Sequence, residues 1–138
     1  VDKNAIEQLQ QRTKKFALRV IRLYEALPHG GVAYVLGKQL LRSGTSVGAN
    51  YRAVCRARSD AEFVAKMGVV VEEADEALYW IELLGETGIL PPRRLSGLLR
   101  EAGELVRIFA TARQTARQRL RPSTNQPFNQ STNQPFSP

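Results

Sequence analysis

The chain is poor in the residues that carry most enzyme chemistry. It has 138 residues with one histidine, His29, and one cysteine, Cys55. A structural zinc site draws on about four His or Cys ligands, so zinc binding is excluded. A di-iron bundle site uses Glu-x-x-His pairs from two helices, and His29, in a Pro-Gly turn, cannot supply them. Glu72, Glu73, Asp75 and Glu76 therefore read as an acidic surface rather than a metal nest. The nucleotide loops GxxxxGK[ST] and GxGxxG are missing. Gly44 to Gly48 has no preceding strand and no lysine in register. These absences predict a protein with no catalytic residues, no metal and no cofactor. A lone cysteine cannot form an internal disulfide; it fits a reducing compartment as a structural thiol. No apolar run approaches the ~20 residues of a membrane span. The opening VDKNAIEQLQQRTKK is polar, without the apolar centre of a signal peptide. The expectation is a cytoplasmic protein with no membrane partner.

What is abundant is positive charge. The net charge is +7 and the sequence pI about 10.1, a balance that permits an RNA or DNA partner. The charge is unevenly placed. Val1 to Arg58 is rich in Lys and Arg, Asp60 to Glu86 is acidic apart from Lys66, and Arg93 to Arg121 is basic again. One acidic segment among basic ones predicts electrostatic matching within a bundle or between subunits.

Apolar residues at spacings of three and four predict four amphipathic helices, at about 4–27, 32–58, 60–87 and 92–118. Ile6, Leu9, Phe16, Val20, Leu23, Tyr24 and Leu27 mark the first, which Pro28, Gly30 and Gly31 end. In the second, Val32, Leu36, Leu40, Ser43, Val47, Asn50, Tyr51 and Val54 share a face. This face carries small residues where Leu or Ile is usual. Gly37, Gly44 and Gly48 each cost up to about 1 kcal/mol against alanine, so packing must hold the helix. A local irregularity is expected near Ser43 to Gly48, and Asn50 is expected to bridge helices as a buried amide. Ser59-Asp-Ala-Glu62 is a capping box for the third helix. Its core face runs through Phe63, Met67, Val70, Val71, Ala74, Leu78 and Ile81. Proline at 91 and 92 opens the fourth, whose face holds Leu95, Leu98, Leu99, Ala102, Leu105, Val106, Phe109 and Ala112. Short connections imply an all-α, antiparallel up-down-up-down four-helix bundle over residues 1–121. Residues 122–138, which repeat STNQPF twice without charge, are expected to form a disordered tail.

SGTSVGANYRAVCRARS, followed by EFVAKMGVVVEEADEALYWIELLGETG, resembles the 23S rRNA intervening-sequence protein family, also called the four-helix-bundle protein family. The likeness runs from about Phe16 to Ala112. It includes the FALRVIRLYEALP opening, the SVGAN string from Ser46 to Asn50, the ARS-x-x-EF junction and the Tyr79-Trp80 pair. The resemblance implies a ring-shaped homo-oligomer, a pentamer, encoded within rRNA genes or elsewhere in bacterial genomes. A related branch is the accessory variability protein of diversity-generating retroelements, a basic pentamer that binds nucleic acid and a reverse transcriptase. Neither branch brings catalytic residues.

Two candidate surfaces follow. The stripes Arg12, Lys15, Arg19 and Arg22 on the first helix, and Lys38, Arg42, Arg52 and Arg56 on the second, are candidate phosphate contacts. On the third helix the core face is complete without Val69, Tyr79, Trp80 and Leu83, which mark a candidate subunit interface. Its acidic border would meet Arg93, Arg100 and Arg107 of a neighbouring copy in a heterologous contact that closes into a ring. The sequence leaves three readings open: a nucleic-acid-binding oligomer, an accessory subunit of a reverse transcriptase, or a protein-binding scaffold whose charge only aids solubility.

Overall fold

The structure is a computed structural model and describes residues 2–121. Its helices are α1 (Lys3–Ala26), α2 (Gly31–Val54), α3 (Asp60–Glu86) and α4 (Pro92–Leu120). No strand occurs among the described residues. The repeated tail lies outside them.

Local chemistry sets most helix ends. The Asp2 side chain accepts the Asn4 N–H at 2.9 Å and starts α1. The Ser59 hydroxyl accepts the Glu62 N–H at 3.1 Å and starts α3. Glu62 reaches back one residue further than the usual box: its carboxylate accepts the Arg58 N–H at 2.9 Å. That contact ties the connector to α3, and α2 stops at Val54 rather than at the expected 58. After α3, Gly88 takes a left-handed φ of 79°, a conformation that a Cβ disfavours. The turn lets the Leu90 N–H reach the Leu84 carbonyl at 3.4 Å.

Side-chain neighbours give the topology. Gly37 faces Leu27, Gly44 faces Val20 and Gly48 faces Thr13, so α2 runs against α1. Arg113 donates to the Val64 carbonyl near one end of the α3–α4 pair, and Gly85 faces Leu95 near the other. On α1 and α4, Arg12 meets Glu101 while Arg19 lies beside Gly97. Each pair is antiparallel, as expected of a bundle with short connections. Each helix packs on its chain neighbours, and α1 closes the square against α4 along a much shorter seam.

Phe16, Val20, Leu40, Val47, Met67, Val70, Ile81, Leu84, Leu105 and Phe109 form the centre of the core. Three expectations about the second helix need correction. Val32 is 63% exposed, and Ala33 is buried in its place. Asn50 is half-buried and donates to the Ser46 carbonyl of its own helix at 2.8 Å; it does not bridge helices. The helix also runs without a break through Ser43 to Gly48. There the Ser43, Thr45 and Ser46 hydroxyls each donate to the carbonyl four residues back. A hydroxyl bonded in this way stays satisfied inside a packed helix. Thr13, buried on α1, does the same with the Leu9 carbonyl.

Candidate nucleic-acid interface

The basic residues do not form two simple stripes. Two of the eight candidates are already engaged by carboxylates. Arg12 forks onto Glu101, with Nε to Oε2 at 2.7 Å and Nη2 to Oε1 at 2.8 Å, and Nη2 also reaches Glu104. A bidentate guanidinium–carboxylate pair is among the stronger charge-assisted contacts. The hydrogen bond from Arg12 holds the Glu101 carboxyl below the usual range against the cost of its burial. Arg12 is raised in turn, first by Glu101. Arg42 bonds Glu76 at 2.6 Å and Glu73 at 3.3 Å across the α2–α3 groove. Glu76 is lowered chiefly by that contact. At 100° per residue, Arg42 sits about 80° around α2 from Arg52, which turns it toward α3. Neither arginine is a free phosphate ligand.

The other six candidates, Lys15, Arg19, Arg22, Lys38, Arg52 and Arg56, have no ion-pair partner among the described residues. The bundle sorts four of them onto two sides of α1, while Lys15 stays exposed beside Arg12 on α1 itself. Arg52 and Arg56 line the α1–α2 groove together with Lys14. Lys38 is exposed on the same helix, with Nζ 5.1 Å from the centre of the Tyr34 ring. Arg19 and Arg22 line the α1–α4 groove with Arg94. Lys14 and Arg94 were not anticipated, because a single-helix projection cannot show which residues face a common groove. The signal was the clustering itself: Lys14-Lys15 and Arg93-Arg94 are adjacent pairs, and only one of each was selected.

The candidate interface residues divide as well. Val69 and Tyr79 are exposed, Tyr79 at 52%. Trp80 and Leu83 are half-buried and pack against the core of their own bundle. The Trp80 indole N–H donates to Glu76 at 3.3 Å, and its ring meets Tyr79 edge-on with centroids 5.0 Å apart. The expectation that the core is complete without Trp80 and Leu83 is therefore corrected. On α2, Val32 and Val35 are exposed. Arg93, Arg100 and Arg107 are exposed along α4 and pair with no carboxylate among the described residues.

Among the described residues no group of three His, Cys, Asp or Glu side chains comes together. No described helix is long and apolar enough to cross a membrane. The fold and this surface define an antiparallel four-helix bundle with basic grooves on both sides of its first helix. The family model of the 23S rRNA-intervening sequence protein matches residues 7–111, and the chain belongs to that family. It is also similar to a crystal structure of a protein of unknown function from the S23 ribosomal protein family of Bacteroides thetaiotaomicron. The two are 33% identical over 75% of this chain and 95% of that one, with a TM-score of 0.69. No curated protein matches the sequence.

Proposed function

We propose that the chain is a non-enzymatic cytoplasmic protein that binds RNA or DNA through the two grooves flanking α1. The carrying observation is the set of cations without acidic partners that face common grooves: Lys14, Arg52 and Arg56 on one side, Arg19, Arg22 and Arg94 on the other. Internal carboxylates consume Arg12 and Arg42 but leave these six available. Lysine and arginine in a groove contact phosphate oxygens without reading base edges. Binding is then tolerant of sequence and weakens with salt at about 0.7–0.9 log units per log unit of salt for each phosphate neutralised. The test is fluorescence anisotropy of labelled RNA and DNA across a salt series. Replacing Arg52 and Arg56 with glutamine is expected to lower both affinity and slope. Absence of binding at low salt would refute the reading.

The same proposal includes self-association. Arg93, Arg100 and Arg107 are exposed at seven-residue spacing along α4, while Val35 on α2 and Val69 and Tyr79 on α3 are exposed large hydrophobic residues. A contact between two different surfaces of neighbouring copies is head-to-tail, and it closes into a ring when the rotation between copies allows it.

A further inference from the structure

Tyr34 stands on the outer surface of α2, 38% exposed. It belongs neither to the core nor to the lining of the α1–α2 groove. Lys38, one turn on, holds its ammonium 5.1 Å from the centre of the ring. That is inside the roughly 6 Å over which the face of an aromatic attracts a cation. Lys38 has no carboxylate partner among the described residues. In a helix, long side chains lean over the preceding turn. For Tyr34 that turn holds Gly30 and Gly31, where an added Cβ would meet nothing within 4 Å. The ring thus has a cation on one side and two residues without side chains on the other.

Helical phase links this pair to the basic groove. Tyr34 and Arg52 are 18 residues apart, and so are Lys38 and Arg56. Eighteen residues are about five full turns. Tyr34 therefore lies in line with Arg52, and Lys38 in line with Arg56 just past the end of α2. The line runs about 27 Å from Tyr34 to Arg52 at 1.5 Å per residue, and all four side chains are exposed. Lys14 joins it from α1.

We infer that this line takes a single-stranded nucleic acid, with one unpaired base stacked on Tyr34 and the backbone following Lys38, Arg52 and Arg56. The inference rests on the groove reading above and adds to it the strandedness of the ligand and an aromatic contact. Exposed rings beside a basic track are how sequence-tolerant proteins hold single strands. An intact duplex covers each base face with the next base, so a surface ring finds no face to stack on. Lys38, beside the ring, meets the phosphate of the stacked nucleotide.

The test is fluorescence anisotropy with the full chain and a labelled single-stranded RNA of about 12 nucleotides, within the usual site sizes of single-strand binders, beside its duplex with the complementary strand. The same pair in DNA shows which sugar the line prefers. Tyr34→Ala is expected to weaken single-strand binding about five- to 150-fold, as loss of one stacked base does, and to leave duplex binding nearly unchanged. Tyr34→Phe keeps the ring and should bind like the wild type. The salt slope should stay the same in Tyr34→Ala, because stacking releases no counterion, and fall by about 0.7 in Lys38→Gln. Circular dichroism checks that the helix persists; Tyr34→Leu, another good helix former, serves if the alanine variant does not fold. An unchanged single-strand affinity in Tyr34→Ala, or an equal loss on the duplex, would overturn the inference and leave the groove reading in place. If Tyr34 is instead a subunit contact, the first of these results follows, with a smaller particle mass by light scattering. If the wild type binds neither strand form at low salt, the groove reading falls and this inference with it.

Discussion

Replacing Gly44 with alanine tests whether α1 and α2 are held together by the missing side chains of α2. A Cβ at Gly44 would lie 2.8 Å from Val20 Cγ2 and 2.9 Å from Cγ1. Valine is branched at Cβ and has one strongly preferred rotamer in a helix, so it cannot swing aside. The helices must separate or Val20 must leave its rotamer, at a cost of about 1–3 kcal/mol for overpacking. Alanine also favours the helix by about 1 kcal/mol over glycine, which hides part of that cost. Gly103 supplies the correction. It lies within α4, and a Cβ there meets nothing within 4 Å. Gly103→Ala receives the same helical gain without a clash. The difference between the two variants is then the packing term alone.

The expected ordering is Gly103→Ala above wild type and Gly44→Ala below Gly103→Ala by roughly 1–3 kcal/mol. In a chain of this size that gap is about 4–12 °C in melting temperature. Urea titration followed by circular dichroism measures it, at one fixed protein concentration because assembly would add stability by mass action. A control isolates the contact: adding Val20→Ala to Gly44→Ala makes room for the new methyl. The double variant should be more stable than the sum of the single effects by about 0.5 kcal/mol or more. Equal effects of Gly44→Ala and Gly103→Ala, or strict additivity with Val20→Ala, would show that the glycine seam does not set the α1–α2 distance.

Gly48→Leu should lower the melting temperature by several degrees, since the added side chain starts 3.1 Å from Thr13 Oγ1 and overpacking costs about 1–3 kcal/mol; an unchanged midpoint would place this turn in solvent. Arg12→Met should destabilise the chain at pH 7 by roughly 1–2 kcal/mol, through loss of charge-assisted hydrogen bonds to Glu101 and Glu104. Glu101 is held below its ordinary value, so its contribution is present above the unfolded pKa of about 4.3 and is lost as pH falls through the lower folded value. The gap between wild type and Arg12→Met should therefore close in acid; a gap independent of pH from 7 to 2 would refute the assignment. Arg100→Glu with Arg107→Glu reverses two exposed, unpaired charges and should yield smaller folded particles by light scattering. An unchanged particle mass would put any interface elsewhere.

The architecture was legible in the sequence because core formation in a bundle is a one-helix problem. Phe16, Val20, Met67, Val70, Leu105 and Phe109 fall at helical spacing, and all are buried. The errors lie where a second helix decides. Val32 has the right phase, but Gly31 only begins α2, so Val32 sits in its first turn and is exposed. Asn50 has the right phase as well, yet its amide is satisfied by Ser46 one turn back. Arg42 and Arg52 were read as equals from one projection. The outcome for each depends on which neighbour it faces: Glu73 and Glu76 on α3, or Lys14 on α1.

The same reasoning explains why the surface was less legible than the core. An apolar side chain at the helix centre line is buried by whichever helix packs there, so its fate needs only its phase. A charged side chain at the flank meets an acid, another base or water according to the order and register of the neighbours. Arg12 shows the consequence. It lies on the same flank of α1 as Arg19, yet faces Glu101 and Glu104, while Arg19 and Arg22 open onto Arg94. One flank of one helix thus contains both a structural clamp and a cationic groove, and an α1–α4 register different by two turns would bring Arg19 rather than Arg12 to Glu101 and Glu104.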